Sequence, residues 1–275
     1  MDDHLWEADG RRGAWQRRPE RHRVAPMVEY LDSGGGDPGM AVGTWLAEHL
    51  VPGVQAVRIQ TGFFSIGSLR DHFDTLAGID VVRLVLGSNA PEQPTADDVR
   101  QLVPLIAGHL SRSLTLVRFA GSALFHPKTI HLVRKDGTAL AYVGSANMTE
   151  YGLGFNAEAG IVLGPDAGDA LDAIAAATDA WAVRDEQGVF QVRGECDVDD
   201  LLAQGVLQTA EQRRATRATS RRQRRASGEG AVGSRGLGFG AQQQRRQAAG
   251  SNRNAAPGHA GRPAALASHC GGARS

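Results

Sequence analysis

The sequence reads as an α/β fold, a mixed β-sheet flanked by helices on both faces. Residues 54–59 read as a strand, and 81–86 is an apolar run short enough to be a buried strand. They alternate with longer stretches of helical periodicity, the pattern of a sheet covered by helices. Further on, two strand-like runs flank Lys135-Asp136-Gly137, and Asp-Gly supplies the positive-φ residues of a tight hairpin turn, so part of the sheet is antiparallel.

Taken in order, residues 40–50 predict a helix and 54–59 a strand. A helix is expected over 68–76 with Ser65 or Ser68 near its cap, then the strand 81–86, a helix over 96–109 and a β-rich run at 114–119. The hairpin joins 128–134 to 138–143, and a strand near 157–163 and an Ala-rich helix over 167–183 complete the pattern. The folded domain is therefore set at residues 38–190. Residues 1–37, polar and Arg-rich and closing on Gly34-Gly35-Gly36, read as a flexible lead-in; no GxxxxGK[ST] accompanies the glycines, so they are linker and not phosphate loop. Residues 191–210 read as a linker or short helix. Residues 211–275 are Arg, Ala, Gly, Gln and Ser with Phe239 the one aromatic. Such a tail cannot offset an ordering entropy of roughly 1–2 kcal/mol per residue and is expected to be disordered.

The chain's 30 basic and 30 acidic residues cancel to zero, but the zero is an average of unlike parts. Residues 211–275 hold 13 Arg against Glu211 and Glu229, a charge of +11, so residues 1–210 carry −11. The tail is open to three readings: an electrostatic arm for nucleic acid, a solvated low-complexity extension, or a stretch translated out of frame. No run approaches the ~20 apolar residues of a membrane span, and the start of the chain has no signal-peptide core, so a cytoplasmic protein without stable membrane association is expected. Cys196 and Cys270 lack CxxC or Cys/His ligand spacing, which argues against a structural zinc site.

Chemistry concentrates in Phe125-His126-Pro127-Lys128, Val143-Gly144-Ser145-Ala146-Asn147-Met148-Thr149 and Asn156-Ala157-Glu158. On an extended chain His126 and Lys128 share one face, and an imidazole beside an ammonium suits a phosphate. The hairpin then delivers Ser145 and Asn147 to the same end of the sheet, with Glu158 on the strand that follows. His131 faces the other way and reads as structural, Phe63 and Phe64 as core, and Ser65 as cap or ligand in equal measure.

His126-x-Lys128 followed by Gly144-Ser145-x-Asn147 resembles the HxK…GSxN signature of the phospholipase D superfamily, and the flanking residues resemble its single-motif nuclease branch most. Thr61-Gly62-Phe63-Phe64-Ser65 is similar to a Gly-aromatic-Phe-Ser segment of the same branch, and the resemblance spans about residues 40–185. It implies a phospholipase D-like α/β/α sandwich and a phosphodiesterase that needs no metal or cofactor and acts on DNA. His126 is then the expected nucleophile, forming a phosphohistidine. Lys128 and Asn147 are expected to hold the non-bridging oxygens, Glu158 to orient the imidazole and Ser145 to add a hydrogen bond.

Lipase members carry Asp five residues after the Lys, where Val133 stands here. This counts against a phosphatidyl-group hydrolase or transferase, the alternative within the superfamily. A non-catalytic nucleic-acid-binding subunit of a restriction or defence system is the alternative from another class; the presence of both His126 and Lys128 counts against it. The superfamily's second HxK cannot exist in this chain, whose only lysines are Lys128 and Lys135. The resemblance therefore implies a homodimer with the site shared across its two-fold axis.

Overall fold

The computed structural model describes residues 28–35 and 37–226. In chain order its strands are β1 (Val28–Asp32), β2 (Val54–Thr61), β3 (Val81–Gly87), β4 (Arg112–Val117), β5 (Lys128–Arg134), β6 (Ala139–Gly144), β7 (Ala159–Leu163) and β8 (Val189–Val192). They form one eight-stranded sheet in the order β1-β7-β6-β5-β2-β3-β4-β8. The three strands β2, β3 and β4 are parallel, and every other pairing is antiparallel. The sheet is thus mixed, as the strand-like runs and the hairpin predict. Gly137 turns the β5–β6 hairpin at φ +83°, a conformation that a side chain would strain.

The helices are α1 (Val42–His49), α2 (Phe73–Ala77), α3 (Ala96–Ile106), α4 (Glu150–Gly154), α5 (Gly168–Asp179), α6 (Glu195–Ala203) and α7 (Ala210–Ala226). On one face Trp45 and Leu46 of α1, Leu102 of α3 and Leu201 of α6 join Ile59, Leu84, Leu116 and Tyr142 in the main core. Each such buried side chain contributes roughly 1.5–3 kcal/mol. The opposite face packs against α5 and is more polar. There Arg58 donates twice to Asp179, at 2.8 and 2.9 Å, and Gln60 donates to the Thr178 hydroxyl at 2.9 Å. His131 lies on this face, 2 % exposed, in the structural place expected of it. Burial first, and then the Arg58 cation, push its pKa down to about 4.

Several expectations need correction. Residues 1–37 are not wholly a lead-in: β1 pairs with β7 along its length and buries Leu31. The strand is invisible in composition because Leu31 is its only buried residue. Of the two readings of residues 191–210, the short helix is the one met, as α6 (Glu195–Ala203), and the segment is packed instead of being a linker. Val198, Leu201, Val206 and Leu207 are all buried in the main core, and Thr95 bridges to Gln208. The helix expected over 68–76 is replaced by two 3₁₀ turns and the short α2. The Ser68 hydroxyl lies 2.8 and 3.0 Å from the carbonyls of Ser65 and Met148, which ties this stretch to a neighbouring loop instead of a continuous helix.

The tail expectation fails over its first part. Residues Ala210–Ala226 form a 17-residue helix, begun by a reciprocal capping box in which Gln212 N–H donates to Thr209 Oγ1 (3.1 Å) and Thr209 N–H to Gln212 Oε1 (2.7 Å). Arg213 anchors this helix on the body through Asp98 at 2.8 Å. The remainder of the tail, 227–275, and residues 1–27 of the lead-in lie outside the described residues. Among the described residues no helix is long and apolar enough to cross a membrane.

Candidate active site

The register of the central strands dictates where the site forms. Thr61, the last residue of β2, pairs with Lys128, the first of β5, so the chain leaving β2 runs beside the chain entering β5. Gly62 and Phe63 therefore flank His126. A Cβ on Gly62 would stand 2.6 Å from the His126 ring, so only glycine lets the two segments approach this closely. The Phe63 ring meets the imidazole edge-on, with centroids 5.5 Å apart. Phe64 is the core residue expected; Phe63 is part of the site.

The loop after β6 is fastened to the same chain. Thr61 Oγ1 accepts from Met148 N–H at 2.9 Å, and Ser65 N–H donates to the Met148 carbonyl at 3.0 Å. Between them Phe63 N–H donates to Asn147 Oδ1 at 3.1 Å. With its oxygen used in this way, Asn147 keeps the N–H groups of Nδ2 as donors. Phe63 thus joins the two halves of the motif, touching His126 with its ring and Asn147 with its backbone.

Lys128 is buried, and its ammonium lies 2.7 Å from Nδ1 and 2.9 Å from Nε2 of His126 while donating to the His126 carbonyl at 3.0 Å. The sequence prediction that His126 and Lys128 share a face is met. Desolvation, and then the Lys128 cation, lower the His126 pKa below its ordinary 6.5. The exposed imidazole is consequently neutral at pH 7, the state in which a ring nitrogen has a lone pair to give. Burial lowers the Lys128 pKa as well, opposed by the negative charge of Glu158.

Ser145 and Glu158 come together, in a different arrangement from the one expected. Ser145 Oγ donates to Glu158 Oε2 at 2.5 Å and accepts from Ala159 N–H at 3.0 Å. Asn156 Nδ2 donates to Glu158 Oε1 at 3.0 Å. Both carboxylate oxygens are therefore engaged within the loop, and among the described residues no hydrogen bond joins Glu158 to His126. Its influence there is electrostatic, on Lys128. Ser33 secures this loop by accepting from Glu158 N–H at 2.8 Å. Glu150, the other acid after Asn147, packs instead against Gly67.

One residue escaped the sequence reading. Asn89, 3 % exposed, follows β3 and donates through Nδ2 to the carbonyls of Gly62 and Phe125, each at 2.8 Å, while its Oδ1 accepts from Phe125 N–H at 3.1 Å. It pins the segment that carries His126 to the Gly62 segment beside it. Nothing in Gly87-Ser88-Asn89 marks it in advance, since its partners are distant in the chain. Among the described residues no group of three or more His, Cys, Asp or Glu side chains is placed to hold a metal ion.

No family model and no curated protein matches the sequence. Solved structures do. Nuc, a phospholipase D family member from Salmonella typhimurium, is 16 % identical with a TM-score of 0.40, over 61 % of this chain and 98 % of that one. NucT from Helicobacter pylori is 11 % identical with a TM-score of 0.39, over 56 % and 93 %. Phosphatidylserine synthase from Haemophilus influenzae Rd KW20 is 16 % identical with a TM-score of 0.45, over 71 % of this chain and 45 % of that one. The resemblance to the phospholipase D superfamily is carried in sequence by the His126-x-Lys128 and Gly144-Ser145-x-Asn147 segments.

Proposed function

We propose that the protein is a metal-independent phosphodiesterase, a DNA nuclease that works through a phosphohistidine. The observation that carries this reading is the pair at the β5 entrance: an exposed imidazole with a lowered pKa, in contact with a buried ammonium. A neutral imidazole is a nucleophile, and an adjacent fixed cation is what a phosphodiester's negative oxygens require.

In the proposed reaction a His126 ring nitrogen attacks phosphorus, a P–N bond forms and the P–O bond to the leaving nucleoside oxygen breaks. Lys128 and Asn147 Nδ2 donate to the non-bridging oxygens and stabilise their charge in the five-coordinate transition state. The departing oxygen takes a proton from a general acid, and water then cleaves the P–N bond. The general acid is assigned to His126 of a second copy, in a homodimer with a shared site, since the chain has no second HxK. Ser145 and Glu158 form the rim of the site, and Glu158 supports the charged state of Lys128.

The test is DNA cleavage in excess EDTA by wild type and His126→Ala, with sedimentation of both. Cleavage by a wild-type dimer, lost in the variant, is expected. Cleavage that needs Mg²⁺ or survives the substitution contradicts the chemistry, and cleavage by a strict monomer contradicts the shared site.

A further inference from the structure

Helix α7 carries seven arginines and one acid, Glu211, on a chain whose first 210 residues are strongly acidic. At roughly 100° per residue Arg213, Arg214, Arg217 and Arg222 fall on one half of the helix circumference. The other half is uncharged and polar or small: Gln212, Ala215, Thr216, Thr219, Ser220 and Gln223. Arg213 begins the cationic half and docks it. It pairs with Asp98 at 2.8 Å and donates to the Phe64 carbonyl at 3.3 Å, and both partners of the pair are only 14 % exposed. Phe64 adjoins Phe63, the residue that touches both His126 and Asn147. The cationic half therefore starts at the wall of the candidate site. Arg214, Arg217 and Arg222 on it are exposed and are in no ion pair among the described residues.

We propose that α7 is a backbone rail for nucleic acid: a docked helix whose arginines hold successive phosphates of the strand engaged at His126. The proposal rests on the nuclease reading and adds where the polymer is held. From Arg214 to Arg222 the rail is about 12 Å long at 1.5 Å per residue, the rise of three to four nucleotides of one strand at ~3.4 Å each. A lipid surface is the less fitting polyanion. Helices that lie on membranes bury Trp, Phe or Leu opposite their basic face, and here that side holds Gln, Thr, Ser and Ala.

The experiment measures binding of a labelled DNA duplex across a range of salt by the full chain carrying His126→Ala, with and without R214A/R217A/R222A. Residues 227–275 are present in both proteins, so the comparison isolates the helix. Removing three phosphate contacts is expected to weaken binding by at least roughly tenfold at low salt and to make the log-affinity against log-salt slope shallower by about 2 to 3. R214K/R217K/R222K, which keeps the charge, is expected to retain the slope. An unchanged slope in the alanine variant overturns the rail, as does an equal loss in the lysine variant, which marks a structural effect. Arginine-dependent binding to phosphatidylglycerol vesicles without binding to DNA also overturns it. Because turnover is absent from both proteins, failure of the phosphohistidine chemistry shows in the EDTA cleavage test and failure of the rail shows here.

Discussion

The Lys128 ammonium lies within 2.9 Å of both ring nitrogens of His126, two residues away along the chain entering β5. Desolvation of the ring disfavours protonation of the imidazole, and a cation so close acts in the same direction. The acid limb of activity is therefore expected below pH 6.5, the ordinary value for the ring. Lys128→Met is expected to raise the His126 pKa and to cut kcat by roughly 10²–10³-fold, the typical cost of one oxyanion donor. NMR titration of the imidazole and a pH–rate profile check both; an unshifted pKa would show that Lys128 does not tune His126.

Asn89 is expected to act on the reaction through position alone. Asn89→Asp keeps the acceptor for Phe125 N–H but loses both donated bonds to Gly62 and Phe125 carbonyls. Groups left unpaired in a buried place cost about 1–3 kcal/mol each. We expect lower thermal stability and a kcat reduced roughly tenfold at nearly constant KM, a 1 Å displacement of His126 being enough for such a loss. An unchanged kcat in a folded variant would remove Asn89 from this role.

His131 makes stability depend on pH. Its folded pKa of about 4 lies below the ordinary 6.5, so the unfolded chain takes up the proton first. Stability is complete above pH 6.5 and is lost as pH falls toward 4, by about 2 kcal/mol between pH 7 and pH 5. The buried His131 Nδ1 has no hydrogen-bond partner among the described residues, so His131→Leu costs little there. Urea unfolding at the two pH values is expected to show a smaller difference for His131→Leu than for wild type.

Arg213 holds α7 to the body. Arg213→Ala leaves Asp98 and the Phe64 carbonyl without this donor, and undocking by about 1–3 kcal/mol is expected. Limited trypsin digestion should cut at Arg214 and Arg217 faster in the variant, with the rest of the domain intact. Equal rates would show that docking does not depend on Arg213.

The parts of the fold legible in sequence are those where burial shapes composition. β3 is covered on both faces and reads as an apolar run, β2 reads as a strand beside it, and the Asp136-Gly137 turn announces the hairpin. His126 and Lys128 are legible together because strand alternation fixes their common face. What escaped depends on partners far away in the chain. β1 has a single inward residue, Leu31, and its pairing with β7 supplies the rest. Residues 210–226 lack large apolar side chains and so read as disorder, although Thr209-x-x-Gln212 is a capping-box signature and Arg, Ala and Gln favour helix. The expected Glu158–His126 contact fails because strand position predicts nearness to the site, while side-chain direction is set by Ser145 and Asn156.

The most direct measurement is capture of the covalent intermediate: mixing the protein with end-labelled DNA in EDTA, quenching in alkaline SDS at early times and mapping the labelled peptide. A transient label on the peptide that contains His126, absent in His126→Ala, is the predicted result. Full cleavage with no protein-bound label at any time, or label that persists in His126→Ala, would contradict a phosphohistidine mechanism.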